Sequence, residues 1–156
     1  LTVTDIDQDR VALVVEEFGA EVVAPDAIYS VDADIYAPCA LGATVNDDTI
    51  DLLKVDIVAG AANNVLAKGS VHGPALKERG ILYAPDYVIN AGGLINVYGE
   101  IEDWTAERSK RKAGDIYNTL LRIFEFAAAE GIGTHEAANK VAESRLYEAR
   151  HLQRTF

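Results

Sequence analysis

The chain has one cysteine, few basic residues and no long apolar run, and each shortage removes a class of protein. A single cysteine, Cys39, closes no internal disulfide and fits a reducing compartment. Fourteen Lys and Arg against 25 Asp and Glu leave a formal charge of −11. That balance speaks against a nucleic-acid partner, because binding a polyanion needs a basic face. The one basic gathering, Arg108 to Lys112, alternates with acids on a helical stretch and reads as a solvated face. No apolar stretch approaches the roughly 20 residues a membrane span requires, and no basic region followed by an apolar one suggests a signal peptide. A soluble, cytoplasmic protein is the expectation. His72, His135 and His151 lie in polar surroundings with no acid–cysteine cluster beside them. They read as surface histidines, and no metal site is expected.

What is present is a globular composition, 49% hydrophobic and 25% charged. Its 156 residues suffice for one domain with a core, and not for two. Short apolar runs alternate with amphipathic stretches, the pattern of strand–helix–strand units and a parallel sheet. Strands are expected at residues 1–4, 21–24, 34–37, 56–59 and 81–84. Helices are expected over 7–18, closed by Gly19, from Asn46-Asp47-Asp48 onward, and over 72–79, ended by Gly80. After Pro85 only helices follow: 86–100 with glycines inside, 105–130, and one from an N-cap at Thr134 to about residue 148. The first residues, Leu1-Thr2-Val3-Thr4, are already strand-like and do not include Met, so a preceding segment is expected.

Chemistry gathers at the strand ends. Asp5 closes the first strand, where an acid in a dinucleotide-binding sheet accepts hydrogen bonds from the adenosine ribose and repels a 2′-phosphate. Asp also ends strands simply as a turn former, and both readings stand. The glycine-rich fingerprint belongs roughly 20 residues before such an acid, which lies upstream of Leu1. Three later strands each run into small residues: Ala37-Pro38-Cys39-Ala40-Leu41-Gly42, Gly60-Ala61-Ala62-Asn63-Asn64, and Pro85 through Asn90 to Ala91-Gly92-Gly93. Ligands of parallel α/β sheets lie outside the carboxyl ends of the strands. Small residues there admit a flat ring, and amides donate to and accept from a carboxamide. Cys39 reads as a small buried residue touching a ligand and not as a nucleophile, since no histidine lies near it to activate it. Asn63 is either such an amide or a turn former.

These strings, with Tyr83-Ala84-Pro85-Asp86-Tyr87-Val88-Ile89-Asn90-Ala91-Gly92-Gly93 and Ile95-Asn96-Val97, resemble the glutamate/leucine/phenylalanine/valine dehydrogenases. The likeness runs over nearly the whole chain and is strongest to the members acting on leucine and on aromatic amino acids. It implies an α/β fold: an incomplete Rossmann-type sheet, doubly wound and mostly parallel, lacking its first strand and followed by C-terminal helices. Residues 1–100 would be a partial NAD-binding domain, and 101–156 its helical extension, packing toward an absent catalytic domain.

The same resemblance implies NAD as cofactor and reversible oxidative deamination of an amino acid to a 2-oxo acid and ammonia. Asp5 would hold the ribose, and Cys39 and Ala40 would line the cofactor's path. Asn64 and Asn90 would orient the nicotinamide carboxamide and the substrate, and Leu94 and Val97 would line the substrate's side-chain pocket. Leucine-acting members commonly carry valine where this chain has Leu94, and alanine where it has Tyr98, so branched-chain and aromatic substrates both stay open. The family's catalytic lysines lie in the other domain, and no catalytic residue is assigned here. The intact enzyme would be a homo-oligomer, and this part alone poorly stable and inactive. A stand-alone nucleotide-binding or regulatory module, derived from such an enzyme, is the alternative.

Overall fold

All five expected strands form, each as a two-residue ladder: β1 (Thr2–Val3), β2 (Glu21–Val22), β3 (Ile35–Tyr36), β4 (Ile57–Val58) and β5 (Leu82–Tyr83). The computed structural model describes residues 1–152. Every pairing is parallel, but the strands fall into two sheets. β1 lies beside β2, with Thr2 opposite Glu21. In the second sheet β4 is central, with Ile57 between Ile35 and Leu82. Parallel neighbours need crossovers. α1 (Gln8–Phe18) joins β1 to β2, and α2 (Gly69–Glu78) joins β4 to β5. α3 (Asp86–Ile89), α4 (Gly92–Ile101), α5 (Ala106–Glu130) and α6 (Thr134–Leu152) follow. Among the described residues no helix is long and apolar enough to cross a membrane.

The helix ends follow from local chemistry. Asp7 caps α1 by accepting from the Asp9 and Arg10 N–H groups, and Gly19 ends it at φ 63°, where a side chain would be strained. Gly131 ends α5 in the same left-handed way.

Four expectations need correction. The stretch opening at Asn46 makes a tight start, its side chain accepting from the Asp48 and Thr49 N–H groups, but yields only one 3-10 turn at Ile50–Leu52. The chain must bury Leu53 and reach β4 within a few residues, which leaves no length for a helix. Residues 86–100 split into α3 and α4 at Asn90, whose side chain is drawn away to another loop. Thr134 does not cap α6: its hydroxyl donates to the Tyr83 carbonyl at 2.6 Å and ties the helix to β5. His72 is no surface residue but 2% exposed. Its Nδ1 accepts from the Lys68 N–H at 3.0 Å, which puts the proton on Nε2, facing Asp47 Oδ1 at 3.0 Å. Because α2 begins at Gly69, His72 points inward from the fourth position of that helix.

Two clusters form the interior. The larger joins Val45, Ile50, Leu53, Val58, Val65 and Leu76 between the β3–β4–β5 sheet and α2. Burying a side chain such as Leu76 is worth about 2 kcal/mol. The smaller joins Ile123 and Ala127 of α5 to Ala137 and Ala138 of α6, with Val88 of α3 packed on it. Alanines at that contact let the two helices approach closely. Elsewhere apolar surface stays open. α1 buries only Val11, while Leu13 and Phe18 are exposed.

Candidate functional site

The loops after β3 and β4 touch backbone to backbone. A Cβ on Gly60 would stand 2.1 Å from the Pro38 carbonyl oxygen, and one on Gly42 2.6 Å from that of Asn63. Glycine is therefore required at both positions by space. The Ala62 N–H donates to Pro38 O at 2.9 Å, and the Ala43 N–H to Asn64 O at 2.7 Å. Asn64 takes the left-handed conformation at φ 53°, which Asn tolerates better than most residues.

The third strand end closes on the second. Asn90 Nδ2 donates to Asn63 Oδ1 at 2.6 Å and lies 3.4 Å from the Ala62 carbonyl. Of the two candidate amides in that loop, Asn63 meets Asn90, while Asn64 supplies the turn. Cys39 and Ala40 lie exposed above β3. The cysteine is thus open to solvent, not buried as expected, because the loop folds outward after Pro38. Beyond Asn90, a Cβ on Gly92 or Gly93 would meet nothing within 4 Å. Three strand ends thus make a shallow floor of backbone and small residues, with an amide pair at its edge.

Other expected residues stand apart from this cluster. Asp5 belongs to the β1–β2 sheet, where its Oδ1 accepts from the Asp7 N–H at 2.9 Å in a local turn. Leu94 and Val97 sit one turn apart on α4 and are 73% and 55% exposed. A cavity of about 530 Å³ lies elsewhere, between α2 and the α5–α6 turn, with Gly73, Lys77, His135 and Asn139 on its walls. None of the expected site residues lines it.

Sequence reasoning missed Asp86, Tyr83 and Tyr87. Asp86 is 8% exposed and accepts from the Val65 and Tyr87 N–H groups. Burial, reinforced by the Asp86 charge, pushes the Tyr83 phenol above the usual tyrosine range. Tyr87 is raised for the same two reasons and donates to Asn139 Oδ1 at 2.8 Å. Tyr36, beneath the Cys39 loop, is pushed up to about 12, mainly by burial. The one sequence signal for Asp86 was an acid directly after Pro at a strand end, which reads equally well as an ordinary first-turn acid.

A family model for Glutamate/Leucine/Phenylalanine/Valine dehydrogenase matches residues 2–154. The chain belongs to this family. Leucine dehydrogenase of Thermoactinomyces intermedius is 51% identical over the whole chain, which covers 42% of that protein. L-tryptophan dehydrogenase of Nostoc punctiforme is 50% identical over 94% of the chain and 41% of its own length. A crystal structure of L-tryptophan dehydrogenase from Nostoc punctiforme superposes with a TM-score of 0.93 at 48% identity, covering 97% of this chain and 45% of that one. The chain therefore spans about two-fifths of the length of the amino-acid dehydrogenases it matches.

Proposed function

We propose that this chain is the cofactor-binding part of an NAD-dependent dehydrogenase that reversibly deaminates a branched-chain or aromatic L-amino acid to its 2-oxo acid and ammonia. The observation that carries this reading is the Asn90–Asn63 amide pair, set where the ends of β3, β4 and β5 converge. When bound, the dinucleotide supplies the hydride acceptor. Asn90 and Asn64 orient its carboxamide and the substrate, Cys39 and Ala40 line its path, and Asp5 holds the adenosine ribose. The Asp5 carboxylate disfavours a 2′-phosphate, hence NAD over NADP. Leu94 and Val97 form one wall of the substrate side-chain pocket.

The sheet order supports an incomplete Rossmann sheet. In the order 3-2-1-4-5-6 a missing first strand leaves a pair and a trio, with the second and fourth strands facing the gap. The pair β1–β2 and the trio β3–β4–β5 match that division. Residues 1–100 are then the partial NAD-binding domain and 101–156 its helical extension. The intact enzyme is a cytoplasmic homo-oligomer in this reading.

The test is turnover by the full-length natural polypeptide, followed as NADH absorbance with L-leucine, L-valine, L-phenylalanine and L-tryptophan. Oxidation of at least one, with NAD preferred over NADP, is expected. No turnover of any, together with retained NAD binding, would replace the enzyme with a stand-alone binding module. Leu94→Val should shift the aromatic-to-branched ratio of kcat/KM by about tenfold, since one methylene is worth about 1–3 kcal/mol. An unchanged ratio would remove Leu94 from the pocket.

A further inference from the structure

We propose that Asp86 is the positioning residue that sets the spacing of the Asn63–Asn64 and Asn90 amides; its part in turnover rests on the dehydrogenase reading above. The carboxylate is buried, and among the described residues no cation within ion-pair distance neutralises it. A buried charge is tolerated only where hydrogen bonds replace its water. Here each oxygen takes a backbone N–H from a different segment. Oδ2 accepts from Val65, the residue after Asn64, at 2.9 Å. Oδ1 accepts from Tyr87 at 2.8 Å, in the first turn of α3.

The Asp86 backbone continues the link. Its carbonyl accepts the Asn90 N–H at 2.9 Å, and its own N–H donates to Tyr83 Oη at 3.1 Å. The opposite side of the loop is held by Ala43 and Val45, whose N–H groups donate to Asn64 O and Val65 O. Asp86 is thus the tie from the β5 side. One residue holds Val65 through its side chain and Asn90 through its main chain, and the Asn63–Asn90 bond of 2.6 Å spans the interval between them. An apolar residue of equal size would fill the space without making that link.

Asp86→Asn keeps the volume but presents an NH₂ to one of the two N–H donors, so one bond is lost. In the full-length polypeptide, kcat/KM for the amino acid with NAD should fall about tenfold or more, the scale of one charge-assisted hydrogen bond. Thr134→Val, which removes a bond to the same strand but none to the amides, should stay within twofold of wild type. In an Asn90→Ala background Asp86→Asn should cost clearly less than it does in the wild type, because one of the two sides whose spacing it sets is already gone. Amide hydrogen exchange over residues 61–66 should accelerate in Asp86→Asn and not in Thr134→Val. An Asp86→Asn enzyme within twofold of wild type overturns the proposal, as does a full loss on top of Asn90→Ala. If Asp86→Asn fails to fold, Tyr83→Phe, which removes the acceptor of the Asp86 N–H, should lower kcat/KM in the same direction, and no change overturns the idea. Should the wild-type polypeptide oxidise no amino acid, the dehydrogenase reading fails. The exchange data then decide the positioning alone, and unchanged protection of 61–66 refutes it.

Discussion

Replacing His72 with alanine tests whether a buried histidine organises the loop between β3 and β4. The imidazole is 2% exposed and bridges two segments. Nδ1 takes the Lys68 N–H, the capping position of α2, where the Lys68 side chain makes no cap of its own. Nε2–H reaches Asp47. His72→Ala removes one part-buried hydrogen bond, worth about 1 kcal/mol net. It also leaves a hole the size of an imidazole, which costs about 2 kcal/mol after partial collapse. The solvent-exposed Asp47 end contributes little to that loss. The expected loss is therefore about 3 kcal/mol, or about 4 °C in Tm for a polypeptide of the length of the matched dehydrogenases, of which this chain spans about two-fifths. Thermal unfolding followed by circular dichroism on the full-length polypeptide reads it. Asp47→Asn is the control: its side-chain oxygen still accepts from Nε2, so Tm near neutrality should be unchanged. The His72 hydrogen bond, then the Lys68 charge, hold the Asp47 carboxyl below its usual range. Its small contribution is present above the ordinary aspartate pKa and is lost as pH falls through the lowered one. Asp47→Asn should erase only that acid limb. A His72→Ala Tm within about 2 °C of wild type would refute the reasoning, since neither the hole nor the lost bond would then matter.

Gly60→Ala should be more damaging than an ordinary glycine substitution in a loop. Its Cβ would sit 2.1 Å from Pro38 O, so the ends of β3 and β4 must part at a cost of about 3 kcal/mol; a Tm and NAD affinity equal to wild type would contradict the contact. Alkaline pH should unfold the protein through its buried phenols. Tyr36 is raised to about 12 and Tyr83 is raised too, each first by burial, so their contribution is complete below the unfolded value of about 10. It is lost as pH rises from there through the folded values. Absorbance at 295 nm should show these two phenolates appearing only as the far-ultraviolet signal collapses; reversible titration of all seven tyrosines near pH 10 in a still-folded protein would speak against it.

Much of the architecture was legible because it depends on residues close together in sequence. The apolar run Ile57-Val58-Ala59 names a parallel strand, and Gly19 closes α1 by capping chemistry at its end. Family membership was legible too, since the string from Tyr83 to Gly93 is long enough to be distinctive. Side-chain environment was less accessible. Polar neighbours in sequence made His72 look exposed, yet the first turn of α2 aims it at the interior. Cys39 follows an apolar strand and looked buried, yet the chain turns outward at Pro38.

The sequence by itself determined the five strands, the purely helical run after Pro85, the glycine that ends α1 and the small residues at the strand ends, all of which are set by near-neighbour sterics and hydrogen bonding. Only the tertiary structure decided that Asn63 and not Asn64 meets Asn90, that Gly60 lies on Pro38, and that Asp86 ties Val65 to the α3 turn. Those contacts join residues more than 20 positions apart, or turn on which way a loop rotates by one residue. Packing across the sheet chooses among such arrangements, and no local pattern records the choice.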